Sequence, residues 1–193
     1  MALFDSHCHL QFRMAESLRM IPSMRPQCFG VASTQPADWD KVQTLYNAFP
    51  PSAPSSSSGS SSAVPPGSAD ATRTKKKEVY PAFGIHPWWA HKVLEPYDEW
   101  LARLTDLLSS TPEAVCGEIG LDKITAKREA PGQGQEWTAL YDVQRTMFVA
   151  QLRLAAKLGK VPHFQPLPYH PRLPTCWPIP RDLTSARRPP LRS

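Results

Sequence analysis

Residues 113–122 read EAVCGEIGLD, a short apolar run with one carboxylate, Glu118, set inside it. A strand that shows one face to water alternates apolar with polar residues, and Val115, Cys116 and Ile119 do not follow that rule. A run of this kind is buried on both faces, as a central strand of a parallel sheet is. A carboxylate placed there is costly unless it meets a cation, a hydrogen-bond donor or water at the strand end. The stretch therefore suggests both an architecture and a site.

The neighbouring segments agree with a parallel sheet. Just before it, residues 96–110 place Tyr97, Trp100, Leu101, Leu104, Leu107 and Leu108 on one side of a helix. After a Gly/Pro loop at 130–135, residues 137–158 form the longest expected helix, and Gly159 fits as its C-terminal cap. Further upstream, EVYPAFGIHPWW (78–89) reads as a strand ending in a turn at His86-Pro87. Helical spacing of Trp39, Val42, Leu45, Tyr46 and Phe49 marks a helix over 37–49, stopped by Pro50 and Pro51. The segments LFDSHCH (3–9) and CFGVAST (28–34) read as strands, with a short helix at 15–20 between them. Four alternating β/α units predict an α/β fold with right-handed crossovers, doubly wound or closed as a barrel.

Two segments break the alternation. Residues 50–78 are a Ser/Pro/Gly-rich insert with no apolar face to bury, read as disordered, and the Lys75–Lys77 run at its end reads as solvated charge. From Pro162 onward there are nine prolines in 32 residues, a density read as excluding helix or central strand. The expected division is an ordered unit over 1–161 and a Pro/Arg-rich tail over 162–193. The tail also accounts for the charge. Of the formal +5, five arginines and one aspartate beyond Val161 contribute +4, so the first 161 residues carry only +1. The basic balance is thus no sign of a nucleic-acid-binding patch on the folded part. Cys8, Cys28, Cys116 and Cys176 lack CxxC spacing and read as reduced thiols of an intracellular protein. No leader peptide and no membrane-spanning run is expected.

Three predicted strands end in residues that can do chemistry, where parallel α/β folds carry their functional groups. In an extended chain His7 and His9 point the same way, roughly 6.5–7 Å apart, and can close on one divalent ion. His86 follows the third strand and Glu118 lies in the fourth. Imidazole nitrogen and carboxylate oxygen are the usual ligands of a hydrolytic divalent site, and a carboxylate has two oxygens with which to bridge two ions. Each feature also has an ordinary reading: HxH as a plain strand pair, His86 as a turn residue, Asp122 as a cap rather than an orienter of ligands. His91 reads as a surface-turn residue, and Trp88 and Trp89 either stack on bases or pack.

Taken in order, FDSHCHL (4–10), FGIHPWW (83–89) and GEIGLD (117–122) resemble the TatD family of metal-dependent deoxyribonucleases, within the amidohydrolase-like TIM barrels. FGIHPWWAH and AVCGEIGLDK most resemble a fungal branch described as interacting with a subunit of the anaphase-promoting complex. The resemblance covers about residues 2–160, apart from the insert. It implies that His7 and His9 are metal ligands, that Glu118 bridges two divalent ions, Mg or Zn not being distinguished, and that His86 lies near the substrate phosphate. It also implies histidines after strands five and six and an aspartate after strand eight. Where the fifth strand belongs, this chain reads VPHFQPLPYHP (161–171), and neither His163 nor His170 is assigned as a ligand.

The expected fold is the N-terminal half of a (β/α)8 barrel, with the outer edges of strands one and four unpaired and its C-terminal part missing. Residues after about Lys160 read as a shifted frame or retained intron, or else as a PxxP-like tail for an SH3 or WW domain. The expected function is metal-dependent hydrolysis of phosphodiester bonds, removing nucleotides from DNA in the 3′-to-5′ direction, with little catalysis by this 193-residue chain. The alternatives are a non-catalytic cell-cycle interaction protein on the same scaffold and a metal-dependent hydrolase of amides or esters. The expected location is cytoplasmic or nuclear.

Overall fold

The computed structural model describes residues 3–52, 76–134 and 136–164. Most of the insert, the tail beyond Phe164, and with them His170, Cys176 and the tail arginines lie outside the described residues.

Five strands form one sheet in the order β1 (Phe4–Cys8), β2 (Cys28–Ala32), β3 (Glu78–Phe83), β4 (Val115–Ile119) and β5 (Pro162–Phe164). Every neighbouring pair is parallel. The helices between them are α1 (Met14–Met20), α2 (Trp39–Ala48), α3 (Tyr97–Ser110), α4 (Lys123–Glu129) and α5 (Trp137–Leu158). The predicted α/β alternation is present, with one short helix, α4, that the sequence reading did not anticipate.

Burial follows the patterning. Four of the five β4 residues are buried, as expected of a strand covered on both faces, whereas β1 is largely exposed at the sheet's edge. Helix α3 buries Trp100, Leu104 and Leu108, one stripe at i, i+4 and i+8. Trp39 at the start of α2 is fully buried, and its indole N–H donates to the Gly84 carbonyl at 3.0 Å, tying α2 to the end of β3. At the far end of α5, Gly159 takes φ +64°. Its N–H and that of Lys160 return to the carbonyls of Ala156 and Ala155, the Schellman pattern that glycine permits.

That cap turns the chain straight into β5, which corrects the expectation that four units end near residue 161. The fifth strand lies beside β4, with Cys116 opposite Pro162 and Gly117 opposite His163. Proline density misled the sequence reading because Pro162 is the first residue of a strand that, among the described residues, is paired on one side only. The ladder needs no N–H there, since the Cys116 N–H donates to Val161. Among the described residues the single-sided strands are therefore β1 and β5, not β1 and β4. Lys77, read as part of a solvated run, is instead half-buried and donates to the carbonyls of Met24 and Pro26.

The sheet is strongly curled. Three strand spacings separate β1 from β4, about 14 Å in a flat sheet. Yet side chains of the two strands meet at 3.2 Å. The His7 ring on β1 and the His163 ring on β5, four spacings apart, have centroids 5.4 Å from each other. This is a half-barrel, with its inward side chains converging on one point.

Candidate metal centre

That point is Glu118. Its side chain is 4 % exposed, with Oε1 3.2 Å from Nε2 of His7 and Oε2 3.6 Å from Nε2 of His9. Ligand atoms of all three residues lie within 4.8 Å of one another. The Gly117–Glu118 peptide is cis. The predicted trio of His7, His9 and Glu118 is thus brought together.

Hydrogen bonding settles which nitrogen His9 and His86 offer. His9 Nδ1 is 2.8 Å from the Ala32 carbonyl, which can only accept, so Nδ1 carries the proton and Nε2 presents its lone pair toward Glu118. A backbone carbonyl on the far nitrogen is the usual support of a metal-ligating imidazole. His86 has the opposite arrangement: its Nδ1 accepts from the Trp88 N–H at 3.0 Å, so in neutral His86 the proton sits on Nε2. That Nε2 lies 3.9 Å from Glu118 Oε1. His9 is built to ligate and His86 to donate.

The electrostatics call for a cation. Burial, with the nearby Asp38 carboxylate adding to it, pushes the Glu118 carboxyl up to about 7. Its Oε2 is buried and makes no hydrogen bond with any described residue. Asp38 is itself buried, accepting from the Thr34 N–H and hydroxyl at 3.0 and 2.9 Å and from Gln11 Nε2 at 3.3 Å. His7 is held below the usual imidazole range, first by burial and then by His9 and His163. A neutral imidazole with a free lone pair and an under-compensated carboxylate suit a divalent ion. The donor set fits the metal that the sequence implied.

His163 is the residue that sequence reasoning set aside. From β5 it reaches the His7 ring, its Nδ1 is buried without a hydrogen-bond partner among the described residues, and burial lowers its proton affinity. The available signal was the apolar pair Val161 and Phe164 around His163, directly after a glycine helix cap. His91 is a second correction: its side chain is only 4 % exposed and pairs with Glu129 at 3.0 Å, away from the centre. Asp122 caps α4 as the better of its two readings expected, accepting from the Thr125 N–H at 2.9 Å, and it also accepts from the Trp88 indole N–H at 2.6 Å.

Comparison with known proteins agrees with this fold. YJJV, the TatD homologue from Escherichia coli K12, shares the fold with a TM-score of 0.54 at 20% identity. The match covers 84% of this chain and 49% of that one, so the chain spans about half the length of that structure. No curated protein matches. A family profile described as TatD related DNase matches residues 4–164, a span that takes in β1 through β5 and ends with the strand carrying His163. These matches support the family and not the narrower fungal branch. With His7, His9, Glu118 and His163 gathered inside one curled parallel sheet, the chain belongs to the TatD related DNase family.

Proposed function

We propose that this centre binds divalent metal and serves the hydrolysis of phosphodiester bonds in DNA. The observation that carries the reading is the buried Glu118 carboxylate, facing two imidazole Nε2 atoms and carrying one oxygen with no hydrogen bond. His7, His9 and Glu118 hold the ion, and His163 stands beside His7 as a further nitrogen donor. When bound, a divalent cation supplies Lewis-acid polarisation of the phosphoryl group and a nucleophile at neutral pH. The Ala32 carbonyl fixes the ligating tautomer of His9, and the Trp88 N–H fixes His86 as a donor to a phosphoryl oxygen. The family's description as a DNase favours DNA as the substrate, and the motif resemblance favours removal of nucleotides in the 3′-to-5′ direction.

The histidine and aspartate that the resemblance expects after strands six and eight have no counterpart among the described residues. We expect His7, His9 and Glu118 to suffice for metal binding. No specific observation favours the non-catalytic interaction role.

The test is manganese(II) titration by calorimetry, paired with cleavage of a labelled DNA oligonucleotide. Binding that is lost in Glu118→Gln, together with metal-dependent cleavage, supports the reading. Undiminished binding by Glu118→Gln removes the metal centre from it. Binding without any cleavage at high enzyme concentration leaves the metal site and removes the nuclease.

A further inference from the structure

A cavity of about 350 Å³ opens beside the metal centre, lined by His9, Phe12, Thr34, His86, Trp88, Trp89 and Glu118. That size lies at the lower end of small-molecule sites, ~300–1,000 Å³. Two of its walls are aromatic and open to solvent: Phe12 is 55% exposed and Trp88 45%. Neither is loosely placed. Phe12 stacks on the His9 ring, with centroids 5.4 Å apart and planes within 23°. Trp88 packs edge-on against His86 at 5.0 Å, and its indole N–H is committed to Asp122.

This arrangement separates what Trp88 offers from what it withholds. Its one hydrogen-bonding group is used within the protein, so what remains exposed is a π-surface held in a set orientation. A surface of that kind selects flat aromatic groups and is indifferent to their hydrogen-bonding edges. Charge points the same way. Among the described residues no lysine or arginine lines the cavity, and the first 161 residues carry a formal charge of only +1. The phosphate-neutralising contacts that dominate most nucleic-acid binding are therefore not built into this wall.

We propose that Phe12 and Trp88 form a base-stacking subsite, in which the nucleobase next to the scissile phosphodiester lodges against both rings while its phosphate faces the metal centre and His86. The proposal rests on the nuclease reading above and adds to it the group that the site grips. Recognition then depends on the presence of a base and hardly on which base it is, because every base has a π-face.

The experiment compares two six-nucleotide DNA probes, each with a hydrolysis-resistant phosphorothioate at the terminal linkage, one ending in thymidine and the other in an abasic deoxyribose. Binding to the full chain is measured by fluorescence anisotropy in manganese(II). Base-to-aromatic stacking predicts that the thymidine-ended probe binds about tenfold tighter. Phe12→Leu and Trp88→Leu keep apolar bulk and remove the aromatic face, and each should bring the ratio close to one. Manganese titration of each variant confirms that it is folded. Equal binding of the two probes by the unmodified chain overturns the subsite while leaving the nuclease reading intact. Failure of both probes to bind while manganese still does overturns both.

Discussion

Nε2 of His7 lies 3.2 Å from Oε1 of Glu118, although two strands stand between β1 and β4 in the sheet. The cluster exists only because the sheet curls, so a metal ion held there would bind the folded state alone. A ligand that binds the folded state alone, at about a hundred times its Kd, stabilises it by about 2.7 kcal/mol. Saturating manganese(II) should raise the melting temperature, and EDTA should return it to its starting value. Glu118→Gln should show neither change. Identical thermal melts with and without manganese would contradict the coupling.

The contact between β4 and β5 gives a second prediction. A Cβ at Gly117 would fall 2.5 Å from the His163 Cβ and 3.0 Å from its carbonyl oxygen, so the strands approach this closely only because residue 117 is glycine. Gly117→Ala should push β5 outward and cost about 1–3 kcal/mol, as overpacking does. It should also carry His163 away from His7. Urea unfolding measures the first effect and histidine chemical shifts the second. An unchanged midpoint with unchanged His163 signals would reject it.

Asp122 joins a helix cap to the wall of the cavity. Asp122→Ala removes the acceptor for the Thr125 N–H and for the Trp88 indole. The expected loss is about 0.5–2 kcal/mol from the cap. Asp122→Asn, an equally good cap, should recover most of it. Chemical denaturation of the two variants side by side decides the matter, and equal losses would show that capping is not the cause.

Away from the metal centre, Glu129 provides the pH dependence. A hydrogen bond from Lys92, reinforced by the Lys92 and His91 charges, holds its carboxyl below the usual 4.5. The folded pKa is depressed, so its stabilising contribution is complete above 4.5 and drains away as pH falls through the folded value. Stability curves of the chain and of Glu129→Gln should therefore converge as pH drops below 4.5. Parallel curves through that range would exclude the linkage.

Local spacing was enough to determine four strands, their intervening helices and the parallel sense of the sheet, and it marked His7, His9, His86 and Glu118 as candidate site residues. Those signals are short-range: alternation, helical period, capping glycine, and a carboxylate in a run too apolar to hold it unaided. Other features were decided by tertiary structure. His163 joins the centre because the β4–β5 ladder needs no N–H from Pro162 at the first position of β5, which composition alone could not reveal. His9 and His86 take opposite tautomers because one meets the Ala32 carbonyl and the other the Trp88 N–H, partners supplied by the fold. Lys77 and His91 proved covered rather than solvated for the same reason: exposure depends on what packs against a residue, and much of that comes from distant parts of the chain. The sequence by itself marked His7, His9, His86 and Glu118 as candidates; the curl of the sheet decided which side chains meet, His163 included, since residues up to four strands apart touch only when the strands close toward a common axis.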